Sequence, residues 1–327
     1  MGLPVFLSRP PVLQLELTNA CNLSCASCGH SYWNKSKNRP RYFPIERLDS
    51  LLPFIEYASE VHLGGYGEPM LHPELKYILS WIRSRGENLK LKMISNITLL
   101  QKQWESLKEL NLLVISMDGV GEIYQKNRHT DFLNIENGLD FLSQKIESGH
   151  ALQLEVNLVW NRETHQNLEK TLEFLQRYPV KVLNLLPEKM YSKNRFVLGL
   201  LKPNHLHKVI SELHALKRGT GIQINHPDLL KFPLECNQPL DSLFVLSDGE
   251  VMACCASIFK GNEFRFSLGQ LFDSKNSFYD LYNSLKMRMF RRSRLQNAPY
   301  ESPCNDCGFR LVTDTNLRRE LHGQSGR

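Results

Sequence analysis

Three cysteines, Cys21, Cys25 and Cys28, stand in the stretch "LTNACNLSCASCGH" at the spacing CxxxCxxC. Thiols grouped this tightly suit metal ligation better than disulfide pairing in a reducing compartment. A structural zinc site closes with four ligands, and a [4Fe–4S] cluster normally takes one thiolate per iron. Three thiols in one short loop therefore leave one iron of such a cluster without a protein ligand, open to bind something else. The competing arrangement is a zinc ion closed by a distant fourth ligand such as His30. A second set of thiols lies far along the chain, at Cys236, Cys254, Cys255, Cys304 and Cys307. Cys236, Cys254, Cys304 and Cys307, spaced C-x17-C-x49-C-x2-C, form a complete four-ligand set. A zinc ribbon would use the same four thiols. Cys255 can stand in for Cys254, because neighbours on a strand point opposite ways.

The elements that must position these residues follow from the apolar periodicity. "VLQLEL" (12–17) reads as a first strand, and the triplet begins four residues beyond it. "PIERLDSLLPFIEYA" (44–58) predicts a helix with Leu48, Leu51, Leu52 and Ile55 on one face. "EVHLGG" (60–65) is a second strand. "PELKYILSWIRSRG" (73–86) is a helix with a Leu75, Ile78, Leu79 and Ile82 stripe, Pro73 at its start and Gly86 as its stop. Further strands are "LKLKMISN" (89–96), "LLVISMDG" (112–119), "LQLEVNLVWN" (152–161) and "VKVLNLLP" (180–187), the last preceded by a helix over 162–179. These six βα repeats predict an α/β fold with a parallel sheet, curled by right-handed crossovers into a partial (βα)6 TIM-like barrel. In such barrels chemistry gathers at the C-terminal ends of the strands, which is where the triplet falls. The predicted division is a barrel over 1–196, connecting helices and linker over 197–232, and a small cysteine-rich domain over 233–327. Within the last, "DSLFVLSDGEVMACC" reads as a hairpin turning at Asp248-Gly249.

The CxxxCxxC loop after a first strand resembles the signature of the radical S-adenosylmethionine (radical SAM) superfamily. Three further stretches carry the same resemblance, in order and at successive strand ends. "LGGYGEP" (63–69) resembles the family's GGEP-type segment, with Gly65, Gly67, Glu68 and Pro69 as the matching core. The resemblance implies that it holds the amino group of the cofactor's methionyl moiety, glycines permitting close backbone approach to a ligand. "SNITLL" (95–100) resembles the strand-three turn, with Asn96 in the matching place and Ile97 where glycine is usual. "SMDGVGEIYQKNR" (116–128) resembles the strand-four segment, and implies that Ser116 and Arg128 meet the methionyl carboxylate. One departure is Ser27, where many members carry an aromatic residue near the adenine. "SDGEVMACC" and "PCNDCGF" resemble the C-terminal extension of SPASM- and twitch-domain members, in a layout like the aminocyclitol dehydrogenase of butirosin biosynthesis and like one half of the anaerobic sulfatase-maturating enzymes. The spacing resemblance favours Cys254 over Cys255 as ligand.

The resemblance implies two [4Fe–4S] clusters and S-adenosylmethionine as cofactors. Cys21, Cys25 and Cys28 would hold the open cluster. A low-potential donor of flavodoxin or ferredoxin type would supply the electron that cleaves the cofactor to a 5′-deoxyadenosyl radical, which removes a hydrogen atom from substrate. The fully ligated second cluster would take the electron left behind, giving net oxidation of a small molecule or a peptide side chain. Redox-neutral epimerisation, rearrangement or crosslinking is the alternative outcome, and a non-catalytic metal–sulfur or nucleic-acid-binding scaffold is the alternative class. No segment long enough for a separate leader-peptide domain precedes the first strand, which favours a substrate held by the barrel alone.

The totals fit a cytoplasmic globular protein: 327 residues, 42% hydrophobic, 23% charged and net charge +6. No apolar run approaches the ~18 residues of a membrane span, and "MGLPVFLSRPP" does not read as a signal peptide. The basic run "KMRMFRRSR" (286–294) reads as a solvated helix face before it reads as a site for phosphate, nucleic acid or an acidic peptide. Glu188, just past strand six, is a candidate general base, against an ordinary surface carboxylate. Cys255, if not a ligand, is a packing residue or a thiol hydrogen donor to a substrate radical. Tyr66 and Trp160 stand near strand ends as candidate cavity-lining residues, and His62, His72 and His165 read as surface or rim histidines.

Overall fold

Alternating burial sets the strands. The computed structural model of the protein describes residues 10–30, 39–86, 88–187, 203–226, 238–255, 267–273, 275 and 277–295. The described residues fall into two compact units, one within Met1–Ser24, Gly29–Leu113 and Cys236–Cys304, the other within Cys25–Cys28 and Val114–Glu235.

In the first unit the strands β1 (Val12–Leu15), β2 (Glu60–Leu63) and β3 (Lys90–Ser95) run parallel. Leu13, Leu15, Val61, Leu63, Leu91 and Met93 alternate along them into the core. Helix α1 (Leu75–Arg83) buries the expected stripe of Leu75, Ile78, Leu79 and Ile82. The helix expected over 44–58 is broken instead: a 3-10 segment over Ile45–Leu51 hands on to a single α-turn over Leu52–Ile55. Pro53 lacks the N–H a continuous helix would need there, and fits only near the start of the second piece. Leu48, Leu51 and Ile55 are nonetheless buried.

β4 (Leu112–Ser116) ends in the second unit, where the strand order is β4, β5 (Gln153–Trp160), β6 (Val180–Pro187) and β7 (Gln223–Asn225). β5, β6 and β7 are parallel. Helices α2 (Glu122–Arg128) and α3 (Leu133–Glu147) follow β4. The helix expected over 162–179 is split into Arg162–Gln166 and α4 (Leu168–Leu175). The break is at Asn167, whose side-chain oxygen accepts the Val120 N–H at 2.9 Å. Helix α5 (Pro203–Gly219) and β7 occupy the stretch expected as connecting helices and linker. The α/β class and the mostly parallel strands are those of the expected partial barrel.

The expected hairpin is present as β8 (Ser242–Val245) and β9 (Glu250–Met252), antiparallel about Gly249 at φ +84°. Two of its pairings were not legible beforehand. β8 lies parallel to β1, with Val12 opposite Ser242 and Leu15 opposite Val245. β10 (Ser267–Gln270) pairs antiparallel with β9. The first unit's strand order is thus β10, β9, β8, β1, β2, β3. Among the described residues no helix is long and apolar enough to cross a membrane.

The basic run is not one solvated face. It lies in α7 (Leu285–Leu295), which follows α6 (Phe278–Tyr282). Arg291 is fully buried, with its guanidinium 3.9 Å from the centre of the Tyr282 ring and Nη1 donating to Asn283 Oδ1 at 3.1 Å. Lys286 donates to the Ser267 carbonyl at 2.9 Å, and Arg292 is exposed. The charge is used for packing α7 onto α6 and β10. Replacing Arg291 by Ala is expected to cost about 2 kcal/mol in chemical denaturation through lost packing and cation–π contact, with Arg292→Ala leaving the midpoint unmoved; equal effects would contradict this assignment.

Candidate functional site

In the first unit the stretch from Glu16 to Asn22 is braced from both neighbouring strand ends. Gly64 N–H donates to the Leu15 carbonyl at 3.0 Å, and Glu68 N–H to the Ala20 carbonyl at 2.7 Å. A Cβ on Gly67 would press into the carbonyls of Thr18 and Ala20 and lie 2.8 Å from the Asn19 carbonyl carbon. A Cβ on Gly65 would lie 2.6 Å from Glu16 Cγ. Both glycines are therefore required by close approach to the cysteine loop and its strand, whatever approaches their other side.

Glu68 is buried, and its carboxylate is taken up by protein donors. Oε1 accepts from Ser95 Oγ at 2.7 Å and Met70 N at 3.2 Å, and Oε2 from Asn96 N at 2.8 Å. Pro69 opens the 3-10 turn that Glu68 caps. Asn96 Nδ2 donates to Asn22 Oδ1 at 3.0 Å, and Asn22 Nδ2 to Thr98 Oγ1 at 2.8 Å. This ties the strand-three turn to the residue after Cys21. Ile97 holds φ +53°, a left-handed conformation that costs a β-branched residue and explains why glycine suits the position.

Glu16 is the residue that sequence reasoning passed over. It sits in the alternating run "VLQLEL", fully inside the protein. Oε2 accepts from Tyr66 N at 2.9 Å; Oε1 accepts from Ser247 Oγ at 2.8 Å and Ser247 N at 3.3 Å. Burial pushes its pKa up to about 7 against the pull of these hydrogen bonds, with Asp248 adding to the rise. Tyr66 is partly buried, packs with Phe244, Leu246 and Met252, and donates its hydroxyl to the Cys255 carbonyl at 2.9 Å. Cys254 is buried and Cys255 half-buried, both beyond the end of β9. Cys236, Cys304, Cys307 and Glu188 lie outside the described residues.

In the second unit Arg128 closes α2 beside Cys25. Its Nε pairs with Asp118 Oδ2 at 2.7 Å, and its Nη1 lies 3.7 Å from Cys25 Sγ. Burial alone would lower the guanidinium's pKa, but Asp118 and Cys25 outweigh it and hold the charge in place. Asp118 is itself fastened, accepting Val159 N at 2.7 Å. Its sequence signal is the "SMDG" stretch at the end of β4. Ala26 N donates to the Asn127 carbonyl at 2.9 Å and Cys28 N to the Cys25 carbonyl at 3.2 Å. Ser116 is half-buried at the end of β4. Trp160 is buried; its Nε1 donates to His165 Nδ1, and His165 Nε2 meets Glu212 at 2.9 Å.

The donors present suit a thiolate-held cluster. Cys21, Cys25 and Cys28 are not in disulfides, and a fixed cation stands against the Cys25 sulfur, where a cluster carries negative charge. Among the described residues no three histidine, cysteine or carboxylate side chains converge as for a single metal ion; a cubane takes one thiolate per iron and does not require it. His30, the alternative zinc ligand, is buried with Nε2 on the Asn19 carbonyl at 2.8 Å. His72 is likewise held, Nε2 on the Phe43 carbonyl at 3.0 Å, and His62 meets Glu60 at 2.9 Å.

Comparison with known proteins bears on both units. The model of the radical SAM superfamily matches residues 15–175, and that of an iron–sulfur cluster-binding domain, SPASM, matches 236–308. A cysteine-type anaerobic sulfatase-maturating enzyme of Clostridium novyi (strain NT) is 23% identical over 334 residues, covering 91% of this chain and 85% of that protein. The structure of Streptococcus suis SuiB bound to S-adenosylmethionine superposes at TM-score 0.68 with 12% identity, over 93% of this chain and 72% of that one. Native anSMEcpe with bound AdoMet superposes at 0.66 with 20% identity, over 96% of each chain. The two solved structures share the fold with this chain.

Glu16 carries its own prediction. In the folded protein it keeps a proton that the unfolded chain releases above the ordinary 4.5, so its contribution to stability is complete below that pH and is lost as pH rises to about 7. The loss is on the order of 3 kcal/mol. Denaturant unfolding of the wild type and Glu16→Gln, compared across this window, should show the wild type falling relative to the variant as pH rises. A gap that does not change with pH would contradict a protonated Glu16.

Proposed function

Because the chain belongs to the radical SAM superfamily and carries an iron–sulfur cluster-binding domain of the SPASM type, we propose that it oxidises a peptide side chain or a small molecule by hydrogen-atom abstraction. The observation that carries this is the CxxxCxxC loop at the end of β1, braced by the glycine-rich segment after β2. The cofactors are S-adenosylmethionine and two [4Fe–4S] clusters. When bound, they supply a 5′-deoxyadenosyl radical and an electron acceptor for the substrate-derived electron.

The chain's own residues do the rest. Cys21, Cys25 and Cys28 hold the open cluster. With the Glu68 carboxylate engaged by Ser95, Asn96 and Met70, the segment from Gly65 to Pro69 offers main-chain groups to the methionyl amino group. Asn96 keeps the strand-three turn on the cysteine loop through Asn22. Ser116 and Arg128 take the methionyl carboxylate, Arg128 being aimed by Asp118. Cys236, Cys254, Cys304 and Cys307 hold the auxiliary cluster, with Cys255 the alternative to Cys254. Glu188 is the candidate base for a substrate proton. The electron arrives from a flavodoxin- or ferredoxin-type donor in the cytoplasm. A peptide substrate is supported by two relatives, SuiB bound to the precursor peptide SuiA and anSMEcpe bound to the Cp18Cys peptide.

Anaerobic reconstitution should give about eight irons per chain, and changing Cys21, Cys25 and Cys28 together to Ala about four. A drop to none would break the two-site assignment. With dithionite and S-adenosylmethionine, the wild type should release 5′-deoxyadenosine and Cys25→Ala none. In the presence of substrate, net oxidation requires one 5′-deoxyadenosine per product; product forming in excess over 5′-deoxyadenosine would instead establish a redox-neutral reaction.

A further inference from the structure

Tyr66 joins two parts of the first unit that the reaction uses separately. Its main chain lies in the glycine-rich segment, between Gly65 and Gly67, and its N–H is held by the buried Glu16 carboxylate at 2.9 Å. Its ring packs on Phe244, Leu246 and Met252 of the hairpin. Its hydroxyl donates to the carbonyl of Cys255, one residue from Cys254, at 2.9 Å. Glu16 makes a second tie between the same parts, since its other oxygen accepts both donors of Ser247 in the β8–β9 turn. The segment also lies close on β1 and the stretch that follows it, with no room for a side chain at Gly65 beside Glu16 or at Gly67 beside Thr18 and Ala20.

We propose that Tyr66 is a positioning residue that couples S-adenosylmethionine binding at the glycine-rich segment to the order of the hairpin carrying Cys254 and Cys255. The coupling rests on the reading above that this segment binds the cofactor. A ligand that fixes the main chain of residues 65–67 also fixes the Tyr66 ring and hydroxyl, and through them the Cys255 carbonyl. The auxiliary centre is then held in one arrangement when a radical can be formed. A residue that merely fills space would stabilise the hairpin equally with and without cofactor.

Hydrogen exchange on the anaerobic holoenzyme, with and without S-adenosylmethionine, separates these cases. Cofactor should slow amide exchange in residues 244–255 of the wild type by about 5-fold or more, the lower end of ordinary coupling between sites. In Tyr66→Phe, which keeps the ring and loses the hydroxyl, the cofactor-induced change at saturating cofactor should shrink below about 2-fold. Should that variant fail to fold, Glu16→Ala, which removes both acceptors from the Tyr66 and Ser247 donors, must lose the response in the same way. Retention of the full response in the deciding variant overturns the proposal. Wild type that binds cofactor but leaves 244–255 unchanged overturns the coupling alone, whereas wild type that binds no cofactor overturns the functional reading with it.

Discussion

The backbone at Gly67 lies against the carbonyls of Thr18 and Ala20, too close to admit a side chain. That approach places the stretch leading into Cys21 directly on the segment that follows β2. Glu68 then donates its N–H to Ala20 and turns its carboxylate to Ser95 and Asn96, and Asn96 reaches back to Asn22. Three strand ends of the first unit are thereby cross-braced by short hydrogen bonds that reach the residues on either side of Cys21. Radical chemistry needs such bracing, because a reactive species must meet one bond of substrate and no other, and small displacements are costly in rate.

Charge is handled differently in the two units. Arg128 and Asp118 are a largely buried ion pair with one further donor, Val159 N, on the carboxylate, the circumstance in which such a pair keeps its charges. The result is a permanent cation beside Cys25. Glu16 has three donors and no cation among the hydrogen-bond partners of its carboxylate, so desolvation dominates and it takes up a proton near neutrality. One carboxylate orients a charge; the other fastens two pieces of main chain.

Much of this was legible in the residues. Strict alternation in "LQLEVNLVW" and the apolar stripe of α1 require their elements, because the buried face repeats with the period of a strand or a helix. The glycines were legible as sites of close approach, although what approaches proved to be the protein itself, main-chain carbonyls at Gly67 and the Glu16 side chain at Gly65. What escaped reading depends on partners distant in sequence. Pro53 and Asn167 each divide a helix that periodicity draws as continuous, one by a missing N–H and the other by a side chain drawn to Val120. The parallel pairing of β8 with β1 joins residues more than two hundred positions apart, and no local pattern encodes it. Glu16 is hidden for the same reason. Its burial comes from Ser247 and Tyr66, and in "VLQLEL" it looks like an ordinary polar position on a half-exposed strand.

The proposed function stands on a cysteine loop that holds a cluster with one iron left for the cofactor. Electron–nuclear double resonance on the reduced anaerobic holoenzyme, with S-adenosylmethionine labelled at its methionyl amino nitrogen, tests it most directly. Hyperfine coupling between that nitrogen and the cluster spin is expected in the wild type. Labelled cofactor retained by the protein with no coupling to any cluster would contradict it.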